Sequence, residues 1–208
     1  MKNIILIGGG EIGKGETKEI DLEIKKLAPR GSSFVFFGTA ANDAEGYIKT
    51  IESVYGDYFD VVAATTEKGR HFSENAINNA SIIYLGGGLT ELLMKHFEEW
   101  NLVPILADAI DKGAVAVGMS AGAQALSQNY IHEEQNLMEV RKGWGLSDSH
   151  LCILVHSTKE NFNDAKKVYN YAGLSGGLYG IAETAALLVQ SGDGTAQKLG
   201  TGDIFKYA

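Results

Sequence analysis

The sequence predicts an α/β protein: a three-layer sandwich with a mostly parallel sheet between two layers of helices. Three observations predict it. Short apolar runs recur along the chain, and helical spacings separate many of them. Strands apolar on both faces belong to sheets that are covered on both sides. Two of the runs end in glycine triplets, Gly8-Gly9-Gly10 and Gly86-Gly87-Gly88. Finally, 26 glycines against 2 prolines indicate tight strand-to-helix junctions rather than disorder, and 208 residues suffice for one domain spanning 1–208.

The elements follow in order. Residues 3–7 form a first buried strand, and 17–27 a helix with Ile20, Ile24 and Leu27 on one face. Residues 33–37 are a second strand and 44–55 a second helix. Residues 59–64 are a third strand, and 73–79 a short helix for which Ser73 is an N-cap candidate. Residues 81–85 are a fourth strand, followed by helices over 90–97 and 103–112. Residues 114–117 are a fifth strand, running into a helix over 121–126. Strands are expected over 151–155, 185–189 and 198–205, with a helix over 159–172. The stretch 128–150 is polar and irregular, and long loops of that kind are often functional.

The most specific local pattern is Gly118-Met119-Ser120-Ala121-Gly122, which follows an apolar strand and opens a helix. Gly-x-Ser-x-Gly in that context is a nucleophile elbow: small residues flank a crowded turn that lifts the serine hydroxyl clear of the sheet. An oxyanion needs two donors. The Ala121 N–H is the natural first, and the Gly88 N–H, at the end of another strand, is a second. A base is also required. His156 ends the strand 151–155 and should emerge at the same sheet edge as the elbow, whereas His150 begins it and should emerge at the opposite edge. His96 shares its helix face with Lys95, Glu98 and Glu99, and His71 and His132 lie in polar segments. The acid that orients the base lies between them if chain order runs serine, acid, histidine. Glu133, Glu134, Glu139 and Asp148 all qualify.

Gly8, Gly10 and Gly13 satisfy the G-x-G-x-x-G pattern of dinucleotide sites, but the context fails. The next helix begins only near Thr17, and Gly38-Thr39 stands where an acidic residue should end the second strand. No cofactor is therefore expected. No metal is expected either, because HExxH, paired cysteines and clustered histidines are all missing from the sequence. A net charge of −8 without clustered Lys and Arg argues against nucleic acid and membrane surfaces. No run approaches the roughly 18 apolar residues of a membrane span. The opening apolar run is too short for a signal-peptide core, and Cys152 has no partner cysteine. A cytoplasmic protein is expected. The apolar end of the helix 90–100 permits a homodimer.

These residues resemble the peptidase E (dipeptidase E) and cyanophycinase family of serine peptidases over nearly the whole chain. The resemblance rests on the strand ending in Gly8-Gly9-Gly10, on Tyr84-Leu85-Gly86-Gly87-Gly88-x-Thr90, on the elbow, on residues 140–146 before His156, and on a late strand over 180–187. It implies a fold like that of class I glutamine amidotransferases (flavodoxin-like), with serine in place of cysteine. It also implies a Ser-His-Glu triad with Ser120 as nucleophile, His156 as base and Glu134 or Glu133 as acid, Gly88 and Ala121 serving the oxyanion. Small peptides, α-aspartyl dipeptides among them, are the implied substrates. Two positions depart from the family: Leu89 stands where an Asn is usual, and Ser157 where an aromatic often follows the histidine. Without the Asn, an acidic side chain would need another anchor, and Arg141 and Arg70 are available, although both equally suit a solvated face. Two other readings remain. One is a non-catalytic protein binding a small ligand or peptide. The other is an esterase or amidase using the same triad.

Overall fold

The computed structural model describes residues 2–135, 137–147, 150–190 and 196–207. The strands are β1 (Asn3–Ile7), β2 (Ser33–Phe37), β3 (Asp60–Ala63), β4 (Ile82–Leu85), β5 (Val115–Met119), β6 (Asn129–Glu134), β7 (Leu137–Lys142), β8 (Cys152–Leu154), β9 (Leu178–Ile181), β10 (Ala185–Gln190), β11 (Ala196–Gly200) and β12 (Ile204–Tyr207). The helices are α1 (Lys18–Lys26), α2 (Glu45–Tyr55), α3 (Arg70–Asn79), α4 (Thr90–Glu99), α5 (Val103–Asp111), α6 (Ala121–Leu126) and α7 (Lys159–Tyr171).

A seven-stranded sheet runs β11-β10-β1-β5-β4-β2-β3. Its β1, β5, β4, β2 and β3 are parallel, while β10 and β11 join antiparallel beyond β1. Its central strands are apolar on both faces because both are covered. Ile20, Ile24, Ile51 and Tyr55, from α1 and α2, pack on one face. Ile77, Leu93, Phe97, Leu106 and Ile110, from α3 to α5, pack on the other. The α/β, flavodoxin-like architecture read from the sequence is the one the chain adopts.

A second sheet, β12-β9-β8-β6-β7, has a parallel centre of β6, β8 and β9 with antiparallel edges. One face shares the larger core through Tyr130, Ile153, Val155 and Ile181. The other is closed by Phe162, Ala165 and Tyr169 of α7. Thr158 caps α7 in a reciprocal capping box with Asn161.

Several boundaries differ from the sequence reading, each for a local reason. The polar stretch 128–150 contains the β6–β7 hairpin. Met138 and Val140 turn inward while Leu137 and Glu139 face solvent, a period of two carried by a mostly polar sequence. The expected strand 198–205 is broken by a turn at Thr201-Gly202 into β11 and β12. The expected strand 180–187 is likewise broken after Ile181. Ser73 is not an N-cap: α3 starts at Arg70, and Ser73 is buried inside it. The apolar end of α4 is not an exposed face, since Phe97 is fully buried and stacks on Trp144 with ring centroids 5.1 Å apart. Among the described residues, no helix is long and apolar enough to cross a membrane.

Cys152 is 1% exposed, and burial pushes its thiol pKa up to about 12. A thiolate is the reactive form, so the folded protein should not react with iodoacetamide at pH 8. Intact mass should show one adduct per chain only after unfolding in guanidinium.

Candidate active site

The carboxyl ends of three adjacent parallel strands meet at one edge of the larger sheet: β1 ends in Gly8-Gly9-Gly10, β5 in Ser120, and β4 in Gly86-Gly87-Gly88. Open parallel sheets bind ligands at this edge. Ser120 has φ 48° and ψ −104°, a left-handed conformation that a non-glycine residue holds at a cost of about 1–3 kcal/mol. The elbow is held from both sides. The Ser120 N–H donates to the Ile7 carbonyl at 2.9 Å, and the Ser120 carbonyl accepts from the Gln124 N–H at 3.0 Å. The flanking glycines are needed for close approach. A Cβ on Gly118 would strike the Gly122 backbone, and one on Gly122 would lie 2.8 Å from the carbonyl carbon of Leu85.

His156 follows β8 and Glu183 follows the neighbouring parallel strand β9, so one end of the smaller sheet delivers both to the elbow. Ser120 Oγ lies 2.7 Å from His156 Nε2, and His156 Nδ1 lies 2.5 Å from Glu183 Oε1. With Nδ1 donating to the carboxylate, Nε2 is left to accept from the serine hydroxyl. The end of β1 fixes this pair. The Gly8 carbonyl accepts from the His156 N–H at 3.1 Å, and the Gly9 carbonyl accepts from the Thr184 N–H at 3.2 Å.

The carboxylate beside His156 is therefore not one of those read from the sequence. Glu133 accepts from Asn161 Nδ2 at 3.3 Å, and Glu134 Oε2 lies 3.6 Å from His132 Nε2. Glu139 is bonded to Arg141 Nε at 2.6 Å. All three sit on the β6–β7 hairpin, and Asp148 lies outside the described residues. Chain order is serine, histidine, glutamate. Glu183 lies outside the span 120–156 to which a serine-acid-histidine order confines the acid; it sits where the chain turns at Ala182–Thr184, with Thr184 at φ 59°.

Gly9 is a second residue the sequence reading did not single out. A Cβ there would fall 2.6 Å from His156 Cε1 and Nδ1 and would also strike Glu183 Oε2. Both obstructions are side chains that can swing aside. Gly9→Ala should therefore fold yet displace the pair, lowering kcat by about 10²-fold, as misplacements near 1 Å do. Circular dichroism melts alongside peptidase assays would show activity lost with the fold kept.

Gly88 lines the cavity beside Ser120, and among the described residues its N–H has no hydrogen-bond partner. Ala121 is the first residue of α6, so its N–H has no intrahelical acceptor. Tyr47, another residue without a sequence signal, ties the two loops together. Its hydroxyl accepts from the Gly87 N–H at 3.1 Å and donates to Met119 Sδ at 3.4 Å. Burial raises its pKa, so the phenol keeps the proton it donates.

The cavity holds about 300 Å³ and is bordered by Leu89, Thr90, Glu91, Gln124, His132 and Glu133 as well as by Ser120 and His156. Leu89 stands 61% exposed on its rim. Ser157 does not border it; it is buried, and its N–H donates to the Ile181 carbonyl at 3.0 Å. Arg141 is ion-paired with Glu91 and Glu139, and Arg70 with Glu74 on α3.

The sequence model of peptidase family S51 matches residues 4–197. The uncharacterized peptidase YgaJ of Bacillus subtilis (strain 168) is 27% identical over 157 residues, 73% of this chain and 68% of that protein. Peptidase E of Haemophilus influenzae is 29% identical over 99 residues, 48% of this chain and 44% of that protein. A putative peptidase E protein from Listeria monocytogenes EGD-e superposes with a TM-score of 0.67 at 16% identity, covering 100% of this chain and 98% of that one. A peptidase from an acI-B1 actinobacterium superposes at 0.65 with 19% identity, covering 100% and 97%. At such identities these two structures speak for the shared fold. The family match spans nearly the whole chain, and the chain belongs to peptidase family S51.

Proposed function

We propose that this peptidase hydrolyses short peptides through Ser120, His156 and Glu183. The observation that carries the reading is the unbroken hydrogen-bonded series from Ser120 Oγ through the imidazole to the Glu183 carboxylate, on a strained elbow facing a cavity. Ser120 Oγ attacks the scissile carbonyl carbon while its proton passes to His156 Nε2. Glu183 holds the imidazole in the required tautomer and stabilises the imidazolium. The N–H groups of Gly88 and Ala121 receive the oxyanion, each such donor contributing about 3 kcal/mol in comparable sites. Collapse of the tetrahedral species breaks the C–N bond, and His156 returns the proton to the departing amine. Water, deprotonated by His156, then attacks the acyl-enzyme ester and releases the acid and Ser120. A cavity of about 300 Å³ suits a few residues rather than a folded chain.

A panel of dipeptides and matched p-nitrophenyl esters, followed by mass spectrometry, tests the reading. Free amino acids released from dipeptides are expected. Turnover of the esters alone would favour the esterase alternative. The non-catalytic alternative drew its force from Leu89 and from an unplaced acid, and Glu183 beside His156 weakens it.

A further inference from the structure

We propose that the cavity beside Ser120 selects substrates carrying a positive charge close to the scissile bond, and that Glu133 seats that charge. This rests on the serine-peptidase reading above and reverses the aspartyl preference that the family resemblance implies.

The charges around the cavity carry the inference. Glu91 and Glu133 line it together with Ser120 and His156, and no lysine or arginine does among the described residues. The guanidinium of Arg141, which pairs with the lining residue Glu91, is shared between Glu91 and Glu139. Two imidazoles line it as well: His156 is held by Glu183, and His132 stands with Nδ1 3.9 Å from Glu91 and Nε2 3.6 Å from Glu134. Among the lining groups and their pairing partners, five carboxylates (Glu91, Glu133, Glu134, Glu139 and Glu183) accompany one guanidinium and two imidazoles, leaving negative charge in excess whether or not the imidazoles are protonated. Glu133 is the one placed to use that excess. Among the described residues it has no ion-pair partner, and its only hydrogen bond comes from Asn161 Nδ2. The same Asn161 nitrogen donates to the His156 carbonyl at 3.3 Å, so a single amide links the Glu133 carboxylate to the backbone of the base.

An entering aspartate side chain would therefore meet like charge with no free cation to receive it. An ammonium or guanidinium would meet a carboxylate with unused acceptor sites. Like-charge juxtaposition is a standard means of rejecting the wrong partner. The cation could be a basic side chain or the α-ammonium of a short peptide; the chemistry at Glu133 is the same.

Protection of Ser120 from a fluorophosphonate probe, read by intact mass, tests this by binding and does not depend on turnover. Lys-Ala should protect at a concentration about tenfold below that needed for Asp-Ala, with Ala-Ala between them. Glu133→Lys, an exposed substitution near the end of β6, should invert the order. Nα-acetyl-Lys-Ala and Nα-acetyl-Ala-Ala separate the sources. Protection retained only by the acetylated lysyl peptide assigns the side chain, and protection lost by both assigns the α-ammonium. Asp-Ala protecting best in the wild type, or an order unmoved by Glu133→Lys, would overturn the proposal. An unlabelled wild type would instead refute the serine-peptidase reading itself, and this proposal with it.

Discussion

Ser120→Ala should lower kcat for dipeptide hydrolysis by about 10⁴–10⁶-fold while leaving the fold intact. The Ser120 hydroxyl is placed to attack, with its proton acceptor 2.7 Å away. Alanine keeps the backbone hydrogen bonds of Ser120 to Ile7 and Gln124. It also shares the left-handed strain at that position, so the melting temperature should move little. The residual rate should be that of the oxyanion donors and substrate binding alone. Stopped-flow or discontinuous mass-spectrometric assays read the loss directly. Activity within tenfold of wild type would mean another nucleophile does the work.

The second large effect belongs to Glu183. Glu183→Gln preserves shape but presents either an amide oxygen or an amide NH₂ to His156 Nδ1, favouring the wrong tautomer half of the time and giving up the counter-charge to the imidazolium. Loss of the corresponding acid in comparable triads costs about 10⁴-fold in kcat. His156 and Glu183 are both about half exposed, at 50% and 55%, so water replaces part of what is lost and about 10³-fold is the expected figure here. KM should change little, because the pair does not bind the substrate's remote groups. Glu134→Gln, on the far side of His132, should stay within about threefold of wild type. Glu133→Gln should fall far short of the Glu183→Gln loss and should show chiefly in substrate preference.

The sequence disclosed the larger sheet well, because its strands are apolar on both faces and punctuated by glycines. The elbow was legible for the same reason: Gly118 and Gly122 are required by contacts within the turn itself. His156 could be read because a histidine at the end of a buried strand must emerge at one sheet edge. Glu183 could not. Its role depends on a turn at Ala182–Thr184 and on β9 lying beside β8, a tertiary neighbourhood that places an acid after the histidine in the chain, where a serine-acid-histidine order does not look. The hairpin of β6 and β7 escaped because its inward residues, Met138 and Val140, are few and its outward face is charged. Tyr47 ties the loops at Gly87 and Met119 across 40 and 72 residues of sequence, a link no local pattern contains. Gly9 was visible as a glycine, but its reason is a neighbour, the His156–Glu183 pair, brought from the other end of the chain.

The most direct test of the account is the second-order rate of fluorophosphonate labelling, followed by intact mass, for wild type, Ser120→Ala and Glu183→Gln side by side. One adduct on wild type, none on Ser120→Ala, and labelling slowed about 10²-fold or more in Glu183→Gln are the predicted results. Labelling of Glu183→Gln at the wild-type rate, or an adduct that persists on Ser120→Ala, would contradict it.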